Sequence, residues 1–236
     1  MSPNGNRLRD PREREERAQR ILDATADLLL HFGYRRVTID DIARRAGIGK
    51  GTVYLHWKTR DDLYRAVFER EVLGAVEELL EVLRRDTGAW RPHGLVRSYF
   101  LAIMSRPLLR ALCLADSELL GKLARPGDSA RENRHRLISH AYFALLAEHG
   151  VLRDDLSTEA ISYVFLATME GFIQAEAAAG QGSGVQARAD LLALTVQRAL
   201  ETGRELPPAA EKTVAAQVIG LIARLKDADS SDLGGD

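Results

Sequence analysis

An all-α fold is what this sequence predicts, on three observations. Apolar residues recur at three- and four-residue steps through most of the 236 positions, strand-like alternation is nearly absent, and several segments open on Thr or Ser with an acid three residues on. The expected division is a small N-terminal three-helix unit with a basic leader (1–62), a long helix leading into a larger helical domain (63–226), and a disordered tail (227–236).

Residues 12 to 32 read as one amphipathic helix. Ile21, Ala24, Leu28 and Phe32 share its apolar face, and Gly33 supplies the left-handed stop. Ahead of that face lie Arg7, Arg9, Arg12, Arg14, Arg17 and Arg20, interleaved with Asp10, Glu13, Glu15 and Glu16. The interleaving favours a solvated leader with a frayed helix start. The alternative is an arm that orders on a nucleic-acid backbone or in a minor groove.

Thr38-Ile-Asp-Asp41 and Thr59-Arg-Asp-Asp62 are paired capping signatures, each marking a helix start. Between them, Ile39 to Arg45 forms a short helix with Ile39, Ile42 and Ala43 inward. Ala46-Gly47-Ile48-Gly49 makes a turn, and Lys50 to Trp57 makes a second short helix, with Ile48, Val53 and Trp57 beneath it. This is helix-turn-helix spacing. The outer face of the second helix carries Lys50, Gly51, Thr52, Tyr54 and His56, a short hydrogen-bonding set with one cation and a glycine that permits close approach. Arg36, Arg45 and Lys58 flank it. Such a face suits a major groove, and the charge distribution agrees. Residues 1–60 hold 13 Lys and Arg against 8 Asp and Glu, whereas residues 61–236 hold 20 against 26, so a net charge of −1 hides a basic end.

The run Thr38-Ile-Asp-Asp-Ile-Ala-Arg-Arg-Ala-Gly-Ile-Gly-Lys-Gly-Thr-Val-Tyr-Leu-His-Trp-Lys-Thr-Arg-Asp-Asp-Leu63, within Ile21 to Phe68, resembles the DNA-binding domain of the TetR family of bacterial transcriptional regulators. The resemblance implies three helices plus the start of a fourth, a homodimer, and a helical C-terminal body whose small-molecule ligand releases DNA. It also implies that Thr38, Lys50, Gly51, Thr52, Tyr54, His56 and Lys58 stand at positions that touch operator phosphates or bases. One departure is Gly49, where the family often has Ser at the start of the recognition helix; glycine is a permitted but poorer cap.

The remaining elements follow by periodicity. Thr59 to Arg85 is a long helix with a seam of Leu63, Val67, Phe68, Val72, Val76, Leu79 and Leu83, broken over 87–94 by Gly88 and Pro92. Helices are expected at about 93–105, 107–116 and 129–149, the last closed by Gly150. Over 157–179, Ile161, Val164, Phe165, Thr168 and Phe172 make one face, and Ala167, Gly171, Ala175 and Ala179 make a ridge of small residues. After a flexible 180–184, the helix near 185–201 offers Leu192, Val196 and Ala199. Pairing of these two helices with their two-fold mates is expected to form a four-helix dimer interface through Ala167, Gly171, Ala175, Leu192, Val196 and Ala199. Pro207-Pro208 opens a last helix with Val214, Val218, Leu221, Ile222 and Leu225 on one side.

If the helical body encloses a cavity as the resemblance implies, Tyr99, Ile103, Met104, Phe143, Phe165, Met169 and Phe172 would line it for a largely apolar ligand. His140, Glu170 and Gln174 would be its polar anchors. No metal, cofactor or catalytic constellation is expected: the six His are scattered, and neither a G-x-S-x-G nor a strand-linked phosphate loop occurs. The lone Cys113 excludes an intrachain disulfide and reads as a small buried hydrophobe. No apolar run is long enough to span a bilayer and the N-terminus is charged, so a cytoplasmic, non-membrane protein is expected.

The function expected is a sequence-specific regulator, a homodimeric repressor on double-stranded DNA with an inverted-repeat operator, released by a small effector. The alternative is a helical small-molecule-binding or catalytic body with the basic module as an accessory.

Overall fold

The structure is a computed structural model that describes residues 11–86, 88–113, 129–179 and 184–234. Its described elements are α1 (Pro11–Arg36), α2 (Ile39–Ala46), α3 (Lys50–Tyr54), α4 (Arg60–Arg85), α5 (Pro92–Met104), α6 (Pro107–Cys113), α7 (Ser129–Glu148), α8 (Thr158–Ala179), α9 (Val185–Leu200) and α10 (Pro208–Gly234). Among the described residues there is no strand, only an isolated antiparallel bridge between Leu152 and Glu201. No described helix is long and apolar enough to cross a membrane. Residues 1–10, the Cys113 side chain and the expected flexible link 180–183 lie outside the described residues. The chain divides into two compact units, with described residues up to Arg70 in the first and those from Glu71 in the second.

In the first unit, α1 carries Ile21, Leu22, Ala24 and Leu29 into the core. Gly33, at φ 73° and ψ 165°, interrupts the helix where a left-handed stop is expected. The buried stripe departs from the expected one at its end, because Leu29 is buried while Phe32 is 55% exposed. α2 is packed on α1 through Ile39, Ile42 and Ala43, all buried. Its N-terminus is a complete capping box: the Thr38 hydroxyl accepts from Asp41 N at 3.2 Å, and the Asp41 carboxylate accepts from Thr38 N at 3.2 Å. Gly47 ends α2 at φ 69°, a region costly for any residue with a Cβ.

α3 is shorter than the sequence suggests, ending at Tyr54 rather than Trp57. The Val53 carbonyl takes the N–H groups of both His56 and Trp57 at 3.0 Å, which tightens the chain out of α-helical register before Thr59 caps the next helix. Val53 is wholly buried under this turn, whereas Ile48 and Trp57 are half-buried. Two tyrosines complete the unit: Tyr34 donates to Asp61 at 2.7 Å, and Tyr64 donates to the Val37 carbonyl at 3.0 Å. The two rings meet edge to face, 5.2 Å apart, with the Arg60 guanidinium over Tyr34.

In the second unit, α5 packs along α9. Val96, Phe100 and Ile103 from the one and Ala189, Leu192 and Val196 from the other are buried in a single apolar cluster with Leu79, Leu80 and Leu83 of α4. α10 packs on α7 and runs on to Gly234, so the segment expected as a disordered tail is helical. Its acids are not all solvated: Asp229 is buried and accepts from Arg134 at 3.0 Å, and His135 Nε2 lies 3.0 Å from its other oxygen.

Candidate nucleic-acid interface

The helix-turn-helix presents its outer face on a firmly held frame. α2 is fixed at both ends by its capping box and by Gly47, whose N–H bonds back to Ala43 and Arg44 carbonyls. Its box is electrostatically locked, because the hydrogen bonds from the Thr38 side chain and backbone hold the Asp41 carboxyl below the usual range. α3 starts on Gly49, which is extended at φ −76° and contributes no side-chain cap.

On α3, Lys50, Gly51, Tyr54 and Leu55 are exposed and Thr52 is half-buried. Tyr54 is 45% exposed and Leu55, which the sequence reading passed over, is 65% exposed. A Cβ built at Gly51 would meet nothing within 4 Å, so the fold itself does not demand glycine there. Lys50 Nζ lies 2.9 Å from Asp40 Oδ2. His56 is half-buried, and burial together with the positive charges of Arg14 and Arg17 pushes its imidazole below the ordinary histidine value. Arg14 and Arg17 therefore act on the surface that holds His56, a proximity that only the folded α1 reveals.

The flanking cations divide. Lys58 is exposed just past the motif, and Thr38 is exposed at the start of α2. Arg45, expected beside them, instead reaches back to α1, its Nη2 2.7 Å from Asp27. Arg36 lines a groove between α1 and α2 with Leu28, Phe32, Val37, Asp41, Arg44 and Arg45.

The frame, the turn and the exposed face of α3 form a helix-turn-helix. Residues 21–67 match the family model described as bacterial regulatory proteins, tetR family, so this segment is a domain of that kind. The "HTH-type transcriptional activator FasR" of Mycolicibacterium smegmatis is 35% identical over 83 residues, a stretch that is 35% of this chain and 38% of that protein. The chain thus spans about two fifths of that relative's length. Among solved structures, the fatty acid degradation regulator FadR from Bacillus halodurans is similar at a TM-score of 0.60 and 15% identity, covering 79% of this chain and 99% of the other. FadR from Bacillus subtilis, solved in complex with stearoyl-CoA, is similar at 0.59 and 14%, with the same coverage. At these identities the likeness is one of fold, and it extends over the helical body.

In the second unit, the residues expected around a ligand are divided between the core and the surface. Ile103, Phe143 and Phe165 are core, with Phe143 and Phe165 edge to face at 5.3 Å. Tyr99, Met104, Met169 and Phe172 pack half-buried against that core. His140 is exposed, 3.9 Å from Glu159 at the surface, because residue 140 falls on the outer side of α7 while Tyr142, Phe143 and Leu146 turn inward. Glu170 and Gln174 are also exposed. An open groove of about 510 Å³ lies elsewhere, lined by residues that include Val82, Arg97, Leu101, Met104 and Val185; only Met104 was expected.

The expected dimer residues split in the same way. Ala167, Gly171 and Ala175 are exposed. Leu192 and Val196 are buried inside the subunit against α5, and Ala199 is partly buried beside them. The exposed apolar side chains of the two helices are Tyr163 and Leu166 on α8 and Leu191 and Leu194 on α9.

Proposed function

We propose that the protein is a ligand-responsive transcriptional regulator that binds double-stranded operator DNA as a homodimer and acts as a repressor. The single observation that carries this reading is the face of α3: an exposed cation, aromatic hydroxyl and open glycine on a capped two-helix frame. Lys50 and Lys58 supply phosphate contacts, Tyr54, Thr52 and His56 supply polar groups at base edges or backbone, and Thr38 lies at the start of α2 within reach of a phosphate. Two copies read inverted half-sites about one helical turn or a multiple apart.

The dimer is proposed to form through α8 and α9, using Tyr163, Leu166, Ala167 and Gly171 with Leu191 and Leu194, since this is where the described body leaves large apolar side chains uncovered beside small ones. The effector is a small, largely apolar molecule received among Tyr99, Met104, Met169 and Phe172, which pack only partly buried against the second core. Long-chain acyl-CoA, the class of ligand named for the Bacillus subtilis FadR structure, is the first to test.

The test is anisotropy titration of a selected duplex. Tyr54→Ala is expected to weaken binding by about 1–3 kcal/mol, and Lys50→Ala to reduce the salt slope by about one unit. Unchanged binding in both variants would overturn the assignment of α3.

A further inference from the structure

The first unit carries a groove apart from α3, on the residues of α1 and α2. We infer that the groove between α1 and α2 docks an acidic, apolar peptide segment of a second protein. The groove, of about 550 Å³, is lined by Leu28, Phe32 and Val37 on its apolar side and by Arg36, Arg44 and Arg45 against one acid, Asp41. Phe32 stands 55% exposed at a position where the helical period calls for burial. Within an otherwise well-packed unit, an uncovered aromatic beside three guanidinium groups marks a surface made for a partner.

The chemistry selects among occupants. A nucleic-acid backbone would satisfy the arginines but offers nothing apolar for Phe32 and Leu28. A second copy of the same patch, meeting it across a two-fold axis, would set arginine against arginine. A peptide with carboxylates on one side and Leu or Phe on the other satisfies both halves. The present partners exchange readily: Arg44 is 3.4 Å from Asp41 and Arg45 is 2.7 Å from Asp27, exposed pairs of small individual worth. The groove also lies on the side of α2 turned to α1, where Arg45 reaches Asp27, whereas Asp40 on the neighbouring position reaches Lys50 of α3. The groove is thus opened by α1 and the α1 side of α2 and includes no residue of α3.

The test uses the full chain and a fluorescein-labelled synthetic peptide with Leu and Phe on one helical face and Glu on the other, beside a control with Gln for Glu. The acidic peptide is expected to bind saturably, with and without operator duplex, and the control weakly. Phe32→Ser and Arg44→Gln are each expected to weaken peptide binding by at least about tenfold while leaving duplex affinity and thermal unfolding unchanged. Failure to saturate, equal binding to both variants, or displacement of the peptide by duplex would overturn the inference, the last by assigning the arginines to DNA. A lower sedimentation mass in Phe32→Ser would overturn it in favour of a contact between copies.

Discussion

Lys50 reaches across the helix-turn-helix to Asp40, Nζ to Oδ2 at 2.9 Å, so the cation at the start of the recognition helix is already engaged before DNA arrives. Both side chains are at least half exposed, and such a pair adds little to folding. Its effect falls on binding, because a phosphate must compete with Asp40 for the ammonium. Asp40→Asn is expected to tighten duplex binding several-fold at low salt without moving the unfolding temperature. Unchanged or weaker binding by anisotropy would remove Lys50 from the interface.

The His56 imidazole, pushed down by burial and by Arg14 and Arg17, is neutral at pH 7 and titrates below the ordinary value of about 6.5. Phosphates favour its charged form, so duplex affinity is expected to rise as pH falls through that lower range. The rise should disappear in His56→Gln. A titration that persists in this variant would place the responsible group elsewhere.

Tyr34, Tyr64 and Tyr142 all have phenols raised above the usual value, in each case first by burial. A raised folded-state value means that the stabilisation is complete below about pH 10 and is lost as pH climbs, because the unfolded chain ionises first. Unfolding midpoints should therefore fall steeply above about pH 10. Tyr64→Phe should flatten part of that slope while costing about 1 kcal/mol at neutral pH, through the lost bond to the Val37 carbonyl.

Leu166 and Leu192 separate assembly from folding. Leu166 is exposed on α8, so Leu166→Glu should give a folded monomer in sedimentation and weaken operator binding. Leu192 is wholly buried against α5, so Leu192→Ala should cost about 2–5 kcal/mol of subunit stability. A dimeric Leu166→Glu would refute the α8 and α9 surface.

The parts of this fold that the sequence discloses are those set by local rules. The capping box at Thr38 and Asp41 and the left-handed stops at Gly33 and Gly47 act within four residues of chain, and each is found where its pattern stands. What the pattern misjudges depends on which neighbour a helix meets. Leu192 and Val196 share a stripe that suits an interface or a core equally, and α5 decides for core. Phe32 obeys the period of α1 but is left 55% exposed in the groove it lines with Asp41, Arg44 and Arg45 of α2. The acids of the last segment look solvated until Arg134 and His135 of α7 are brought to Asp229. At the recognition face the residue types were legible, but the pairing of Lys50 with Asp40, the exposure of Leu55 and the influence of Arg14 and Arg17 on His56 all require the folded unit.

The central claim is that α3 reads a duplex. The most direct measurement is selection of bound sequences from a random duplex pool by the full chain, in parallel with Tyr54→Ala. The account predicts enrichment of an inverted repeat with half-sites about one helical turn or a multiple apart, lost or degraded in the variant. Equal enrichment by both proteins, or no enriched sequence with the intact chain, would contradict it.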